Sequence, residues 1–379
     1  MPELIRTLLL VFMAAVSILC IILPPNYLLW QIKIVVSEYS HIPVLITLLL
    51  FLVPGFHRQY WMIPQVILLL TALSLFLFPV YEAGQIAGKL PQELEKSFGP
   101  AEVKTDPFSV VKMFRSAPDG PLPTTLTYYS DGRRSLDLDF YQSQEKKAAP
   151  LVIVIHGGGW DSGNKSQMET FNRVLAANGY NVAAINYSLA PDFQSPQQLD
   201  DVQHCIDFLS ANAGKYQVDT SRIVLLGRSA GGQIALQAGY SLHLPQIKGI
   251  VAFYSPADMV WGYSLSTDNS VLKSKTLITQ YMGGTLDEVR HKYEDATAMT
   301  HVTPSSPPTL MIHGLKDNMV AYGHNLHLIK TLTPNHVPHY LLSLPWATHG
   351  ADYHLNGPSG QLSTYAVLHF LTAVTQAKG

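Results

Sequence analysis

This chain is poor in cysteine and in charge. Two cysteines occur among 379 residues, and Asp, Glu, Lys and Arg together make up 14%. Cys20 lies in an apolar run and Cys205 in helix-compatible sequence. No disulfide between them is expected, and the pair assigns no redox compartment. The formal net charge is -2, so the basic footprint of a nucleic-acid binder is missing and no such partner is expected. His-Glu-x-x-His and clustered Cys/His spacings are absent, which removes the usual signatures of a bound metal. Neither the P-loop nor the dinucleotide-binding glycine spacing occurs. Internal repeats and low-complexity tracts are also lacking.

Charge is scarcest at the amino end. Thr7 to Leu29 and Tyr60 to Tyr81 contain no charged residue, and each run is long enough to cross a bilayer core as a helix. A third apolar stretch, Ile42 to Phe56, is shorter and has Pro43 and Pro54 near its ends. It reads as a span in a locally thinned bilayer or as a re-entrant segment. The expectation is a membrane anchor over residues 1–81 with three transmembrane helices. Two spans, or a cleaved signal peptide at the first run, are the alternatives. Arg6 precedes the first span and Arg58 the last, so three spans with the amino end inside place the rest of the chain on the non-cytoplasmic side. Lys33 opposes that topology, and two spans invert it. Residues 82–120 bring prolines, glycines and charges and read as a linker. Within it, Leu90 to Phe98 predicts a short amphipathic helix, lying at the membrane surface or packed on the protein.

Beyond the linker the most informative stretch is Gly227-Arg228-Ser229-Ala230-Gly231. It follows the strand-like Ile223 to Leu226 and precedes a helix-compatible segment. G-x-S-x-G in that setting predicts a strained strand-to-helix turn that lifts a serine hydroxyl above a sheet. Side chains at the glycine positions would crowd the neighbouring strand and helix. The helix that follows points its positive end at Ser229, favouring negative charge there. A second strand-like run, Leu151 to Ile155, leads into His156-Gly157-Gly158-Gly159-Trp160. Successive glycines let backbone N–H groups face a reacting carbonyl, and preset donors of this kind stabilise a tetrahedral oxyanion best. Gly158, Gly159 and Ala230 are the expected donors, and Trp160 is a candidate substrate contact.

Two further residues complete the set. Asp317 follows the strand-like Thr309 to Ile312, and His349 follows His339 to Leu344. Serine is a weak nucleophile at its own pKa, so an imidazole must take its proton and a carboxylate must fix the imidazole tautomer. Fifteen histidines compete for the role. His313 reads as a strand-end packing residue, His324 and His327 fall on a helix, and His354 lies beyond the turn. Asp317 has a rival reading as a helix cap near Val320. Asp200 and Asp201 read as helix-start residues or loop braces.

These motifs identify the resemblance. Residues from about 120 to 375 resemble an α/β-hydrolase of the carboxylesterase and lipase type. Their pattern is similar to the hormone-sensitive-lipase-like, feruloyl-esterase-like and isoprenylcysteine-methylesterase-like branches. The matching pieces are His156 to Trp160 with Gly163 downstream, Asp201, Gly227 to Gly232, His313-Gly314 to Asp317, and His349-Gly350. The order Ser, Asp, His is that of α/β-hydrolase triads. Arg228 departs from the pattern, since many relatives carry His, Asp or another small polar residue there. It either faces the acid-side loop or pairs with a nearby carboxylate as a structural residue. The implied fold is a mostly parallel sheet with helices on both faces. A pass along the chain agrees with it. Thr124 to Tyr129 and Leu136 to Tyr141 form an antiparallel opening pair, and strands then alternate with helices. The catalytic domain is expected over residues 121–379, with residues 256–307 as a lid or as a helical excursion at the sheet edge.

The resulting expectation is a membrane-anchored serine hydrolase of carboxylic esters. It would need no cofactor and would act on a small-molecule or lipid ester. An acyltransferase or deacylase on the same machinery, and a non-catalytic hydrolase-like binding protein, are the rival readings.

Overall fold

The computed structural model describes residues 2–52, 59–117, 119–145 and 147–376. Every predicted strand is present. They are β1 (Thr124–Ser130), β2 (Ser135–Tyr141), β3 (Ala149–Ile155), β4 (Asn181–Ile185), β5 (Val218–Arg228), β6 (Ile247–Phe253), β7 (Thr309–Gly314) and β8 (His339–Leu344). They form one sheet in the order β1-β2-β4-β3-β5-β6-β7-β8. β2 runs antiparallel to both neighbours, and the pairs from β4 through β8 are parallel. This is the mixed, mostly parallel sheet of an α/β-hydrolase.

The helices in chain order are α1 (Pro2–Ser17), α2 (Tyr27–Glu38), α3 (His41–Leu52), α4 (Gln59–Ala87), α5 (Leu90–Phe98), α6 (Glu169–Ala177), α7 (Gln197–Ala211), α8 (Ala213–Tyr216), α9 (Ala230–Ser241), α10 (Met259–Leu265), α11 (Ser274–Met282), α12 (Arg290–Ala296), α13 (Gly323–Leu332) and α14 (Pro358–Thr375). Side-chain alternation explains the layers. Leu151, Ile153 and Ile155 join a core with α7, α9 and α13, whereas Val152 and Val154 join one with α6 and α14. Strands covered on both faces need apolar residues at every position, and that is how β3 reads. Each such side chain contributes about 1.5–3 kcal/mol by leaving water.

The amino-terminal region departs from the expected three spans. The charge-free run from Thr7 to Leu29 is not one helix. It breaks between the turn ending at Cys20 and the start of α2 at Tyr27, where Pro24-Pro25 removes two successive backbone donors. Within the described residues, Met62–Ala87 is the one helix long and apolar enough by itself to cross a membrane. α2 and most of α3 meet that test only as a pair, bent by 81°. Arg58, on which the topology leaned, lies outside the described residues, as do the prolyl end and Phe56 of the third apolar stretch. Lys33 is no loop charge: it is buried and its Nζ donates to Leu19 O at 2.6 Å. Arg6 is also buried, and its Nη2 donates to Gln65 Oε1 of α4 at 2.7 Å.

The expected linker is docked. Leu90 and Leu94 of α5 are fully buried in the core that contains α14. Ser109 exchanges two backbone hydrogen bonds with the Gln361 amide. Packing on the protein, the second reading of this helix, is what the structure contains.

Candidate active site

Ser229 sits between β5 and α9 with φ 53° and ψ -121°. A non-glycine residue at positive φ stores roughly 1–3 kcal/mol of strain, sustained here by the parallel strands on both sides of β5. The flanking glycines are required by close approach. A Cβ on Gly227 would stand 2.1 Å from Gly231 O, and one on Gly231 would stand 2.2 Å from Ile155 O of β3. Both lie far inside van der Waals contact.

The three expected residues converge. Ser229 Oγ donates to His349 Nε2 at 3.0 Å, and His349 Nδ1 donates to Asp317 Oδ2 at 2.8 Å. Ser229 comes from the end of β5, Asp317 from the loop after β7 and His349 from the loop after β8. They meet because parallel strands deliver their carboxyl ends to one edge of the sheet. Asp317 also caps its own loop, with Oδ1 accepting from Met319 N at 2.8 Å and Val320 N at 3.0 Å. Asp317 thus braces its own loop and is not a helix cap, because α13 starts only at Gly323, after Tyr322.

His313 has more to do than pack the end of β7. Asn325 Nδ2 donates to its Nδ1 at 2.6 Å, leaving Nε2–H to donate to Asp317 Oδ2 at 3.1 Å and Val320 O at 3.1 Å. Burial alone would raise the Asp317 carboxyl, but the His349 charge and the bonds from His313 and His349 hold it well below the usual range. The carboxylate is thus ionised and fully engaged. No local spacing marks this second donor, because His313 lies in β7 and Asp317 in the loop beyond it.

Gly158, Gly159 and Ala230 line the same cavity as Ser229 and His349. Gly158, Gly159 and Trp160 have φ of 127°, 60° and 67°, a run of positive values that turns the chain back on itself. Ser162 O lies only 2.2 Å from a Cβ built on Gly158. Gln167, unmarked by any motif, braces the loop by accepting from Gly157 N at 2.7 Å. His156 stacks on Tyr187 with centroids 4.3 Å apart, and burial lowers it to about 4 against a hydrogen bond to Gly157 O. It is a neutral prop of the loop. Trp160 is buried at the cavity wall, stacked on Tyr281 at 4.7 Å, and its Nε1 donates to Gln233 Oε1 at 3.1 Å.

His324, His327 and Asp201 hold the scaffold. His324 is buried on α13 and its Nδ1 accepts from Ala257 N at 3.3 Å and Asp258 N at 3.2 Å. His327 Nδ1 bonds Asp258 Oδ2 at 2.9 Å. Asp201 braces Ser188 N at 2.8 Å and pairs with Arg134 at 2.9 Å.

Arg228 takes the structural option. Its Nε donates to Asp352 Oδ2 at 2.7 Å, between the rings of Phe171 and Phe253. Tyr254 OH donates to the other oxygen of Asp352 at 2.7 Å, and the Tyr254 ring lies 4.4 Å from that of His349. Burial, then the Asp352 charge, keeps this phenol protonated. The pair ties the serine turn to the histidine loop. Replacing Arg228 by Met leaves Asp352 buried with its cation gone, so the expected loss is about 3–5 kcal/mol. A denaturation midpoint indistinguishable from wild type would contradict this.

The segment proposed as a lid divides in two. Met259 to Ile278 contributes Met259, Leu265, Leu272, Leu277 and Ile278 to the cavity. Tyr293, Ala296 and Ala298 line no part of it and are buried in the main core, which Met259 and Ile278 also join. The cavity occupies about 1050 Å³, at the upper end of ordinary ligand sites. Tyr27, Trp30, Gln31 and Ile34 of α2 also line it, a contribution no motif announced.

Comparison with known proteins agrees with this fold. The family model described as BD-FAE matches residues 136–332. "Esterase LipC" of Mycobacterium tuberculosis is 28% identical over 267 residues, covering 66% of this chain and 65% of LipC. "Probable carboxylic ester hydrolase LipM" of the same organism is 25% identical, covering 71% and 64%. The chain thus spans just under two thirds of the length of these curated relatives. Among solved structures, "Bacterial Heroin Esterase" superposes with a TM-score of 0.59 at 20% identity, covering 70% of this chain and 88% of that one. At that identity the likeness is one of fold.

Proposed function

The chain belongs to the BD-FAE family of α/β-hydrolases, and from that premise we propose that it is a serine carboxylesterase held at a membrane by its amino-terminal helices. The observation that carries the reading is the unbroken relay from Ser229 through His349 to Asp317, at 3.0 and 2.8 Å, opening into one cavity.

Ser229 Oγ attacks the ester carbonyl as His349 Nε2 takes its proton. Asp317 keeps the remaining N–H on Nδ1 and stabilises the imidazolium. The oxyanion is received by the amides of Gly158, Gly159 and Ala230, at the positive end of α9. Loss of one such donor costs about 100- to 1000-fold in rate. The intermediate collapses to an acyl-enzyme as the alcohol leaves with the proton from His349. Water then attacks with His349 as base, and the bond to Ser229 Oγ breaks to release the acid as Oγ takes the proton back from His349.

Membrane attachment is supported by the apolar Met62–Ala87 helix and by exposed apolar side chains on α1, α3 and α4, such as Leu8, Phe12, Leu49 and Ile67. Residues 1–81 form the anchor in this reading and residues 121–379 the catalytic domain; with the amino end inside and an odd number of crossings, that domain faces the non-cytoplasmic side. A fluorophosphonate probe tests activity and sidedness together. Wild-type protein should be labelled in intact cells and should hydrolyse p-nitrophenyl esters. A chain that takes no label in detergent and turns over no ester is not a serine esterase. Labelling only after permeabilisation places the domain on the opposite side.

A further inference from the structure

Helix α2 behaves unlike an anchor. A helix that only tethers a domain turns its apolar side chains to lipid and leaves the catalytic loops alone. α2 and the turn before it instead grip those loops at three places. Trp30 Nε1 donates to the backbone O of His349 at 3.0 Å. Trp30 and Ile34 both come within 3.9 Å of where a Cβ on Gly350 would stand. Pro24 O, just ahead of α2, accepts from the side chain of Asn318, the neighbour of Asp317.

The carboxyl end of α2 is locked as firmly. Glu38 is fully buried and accepts from Ser359 N at 2.9 Å, Ser359 Oγ at 2.7 Å and Trp346 Nε1 at 3.2 Å. Tyr39 stacks on His354 with centroids 3.8 Å apart. Between these fixed ends, Tyr27, Trp30, Gln31 and Ile34 recur at helical spacing and present one face to the cavity. Leu265, Leu272 and Leu277 line the same cavity. The outer side of α2 is different: Leu28 is 64% exposed and Val35 55%. Leu23, just before the helix, is 55% exposed. One short helix therefore separates the ester cavity from the apolar surface assigned to the membrane.

Resting on the serine-esterase reading, we infer that α2 is the membrane-side wall of an acyl-chain subsite, and that the substrate is an ester of a long acyl chain that partitions into lipid. The chain lies between α2 and the 265–277 segment with its carbonyl at Ser229. Ile34 and its neighbours on α2 then set the acyl length.

The test uses the full-length protein in detergent micelles with p-nitrophenyl butyrate and laurate. Wild type is expected to give the higher kcat/KM on laurate, and a preference for butyrate overturns the inference. Ile34→Trp fills the wall and should lower the laurate-to-butyrate ratio of kcat/KM by about tenfold or more, the scale on which a pocket senses added bulk. Leu28→Trp, on the outward face, should keep the wild-type ratio. Fluorophosphonate labelling reports whether each variant holds a working serine. A labelled Ile34→Trp protein with the wild-type ratio overturns the inference and leaves the esterase reading standing. Should Ile34→Trp not label, Ile34→Ala decides: the acyl-length optimum must move to longer chains, and an unmoved optimum overturns the inference. Absence of labelling in wild type itself would instead remove the esterase reading beneath it.

Discussion

Replacing Ser229 by alanine is expected to lower ester turnover by about 10⁴-fold or more. The argument is structural as well as chemical. Without Oγ no acyl-enzyme forms, so the reaction loses covalent catalysis and the proton relay together. What remains is binding and the oxyanion donors acting on water, and that residue of rate enhancement is real but small. The fold should be indifferent to the change. Alanine accepts the 53° φ no worse than serine does, and the only bond lost is the one to His349 Nε2, which faces the cavity. Turnover of p-nitrophenyl butyrate and the thermal midpoint, measured on the same preparation, check both halves. A variant that is normally folded and retains a tenth of wild-type activity would falsify the assignment of Ser229 as nucleophile.

Asp317→Asn should produce a loss of similar order, about 10⁴-fold in kcat, with little effect on KM. The geometry dictates how the new amide must sit. Oδ1 of Asp317 accepts from Met319 N and Val320 N at 2.8 and 3.0 Å, so an asparagine keeps its oxygen there and turns its NH₂ toward the two histidines. That NH₂ meets the His349 nitrogen that now donates at 2.8 Å. His349 must then move its proton to Nε2, the atom that should accept from Ser229. A neutral imidazole with Nε2–H cannot act as the base. His313 meets the same conflict, although its Nε2–H also reaches Val320 O, which softens it. The carboxyl of Asp317 lies below its unfolded value near 3.9, because the His349 charge and the histidine bonds outweigh burial. Its contribution to stability is present above that value and fades as pH falls through the lower folded one. The asparagine variant should therefore lose less stability on acidification than wild type. An activity within tenfold of wild type, or acid sensitivity unchanged, would count against this account.

The site was legible in the sequence to an unusual depth where its parts are local. A run such as Ile223 to Leu226 followed by Gly227-Arg228-Ser229 implies both a strand and the turn after it, because strand period and turn sterics act over a few residues. The glycine loop at Gly157 to Gly159, Asp317 and His349 could be placed at strand ends for the same reason. The parts that escaped are those made by contact between distant segments. His313 looked like packing because its bond to Asp317 depends on how the loop after β7 closes. Arg228 pairs with a carboxylate as expected, but that the carboxylate is Asp352 and that Tyr254 joins it depends on three separate elements meeting. The charge-free run from Thr7 to Leu29 does not form one helix, because Pro24-Pro25 breaks what the absence of charge alone permits.

By itself, then, the sequence determined the chemistry: which residue types stand at the ends of which strands, and hence that a serine, an imidazole and a carboxylate are available in that order. Only the tertiary structure decided what encloses them. Trp30 and His349 are 319 residues apart, and no propensity or spacing links them. Their contact exists because the buried Glu38 and the bend after α2 seat that helix on the catalytic loops, a matter of packing between surfaces that local sequence does not encode.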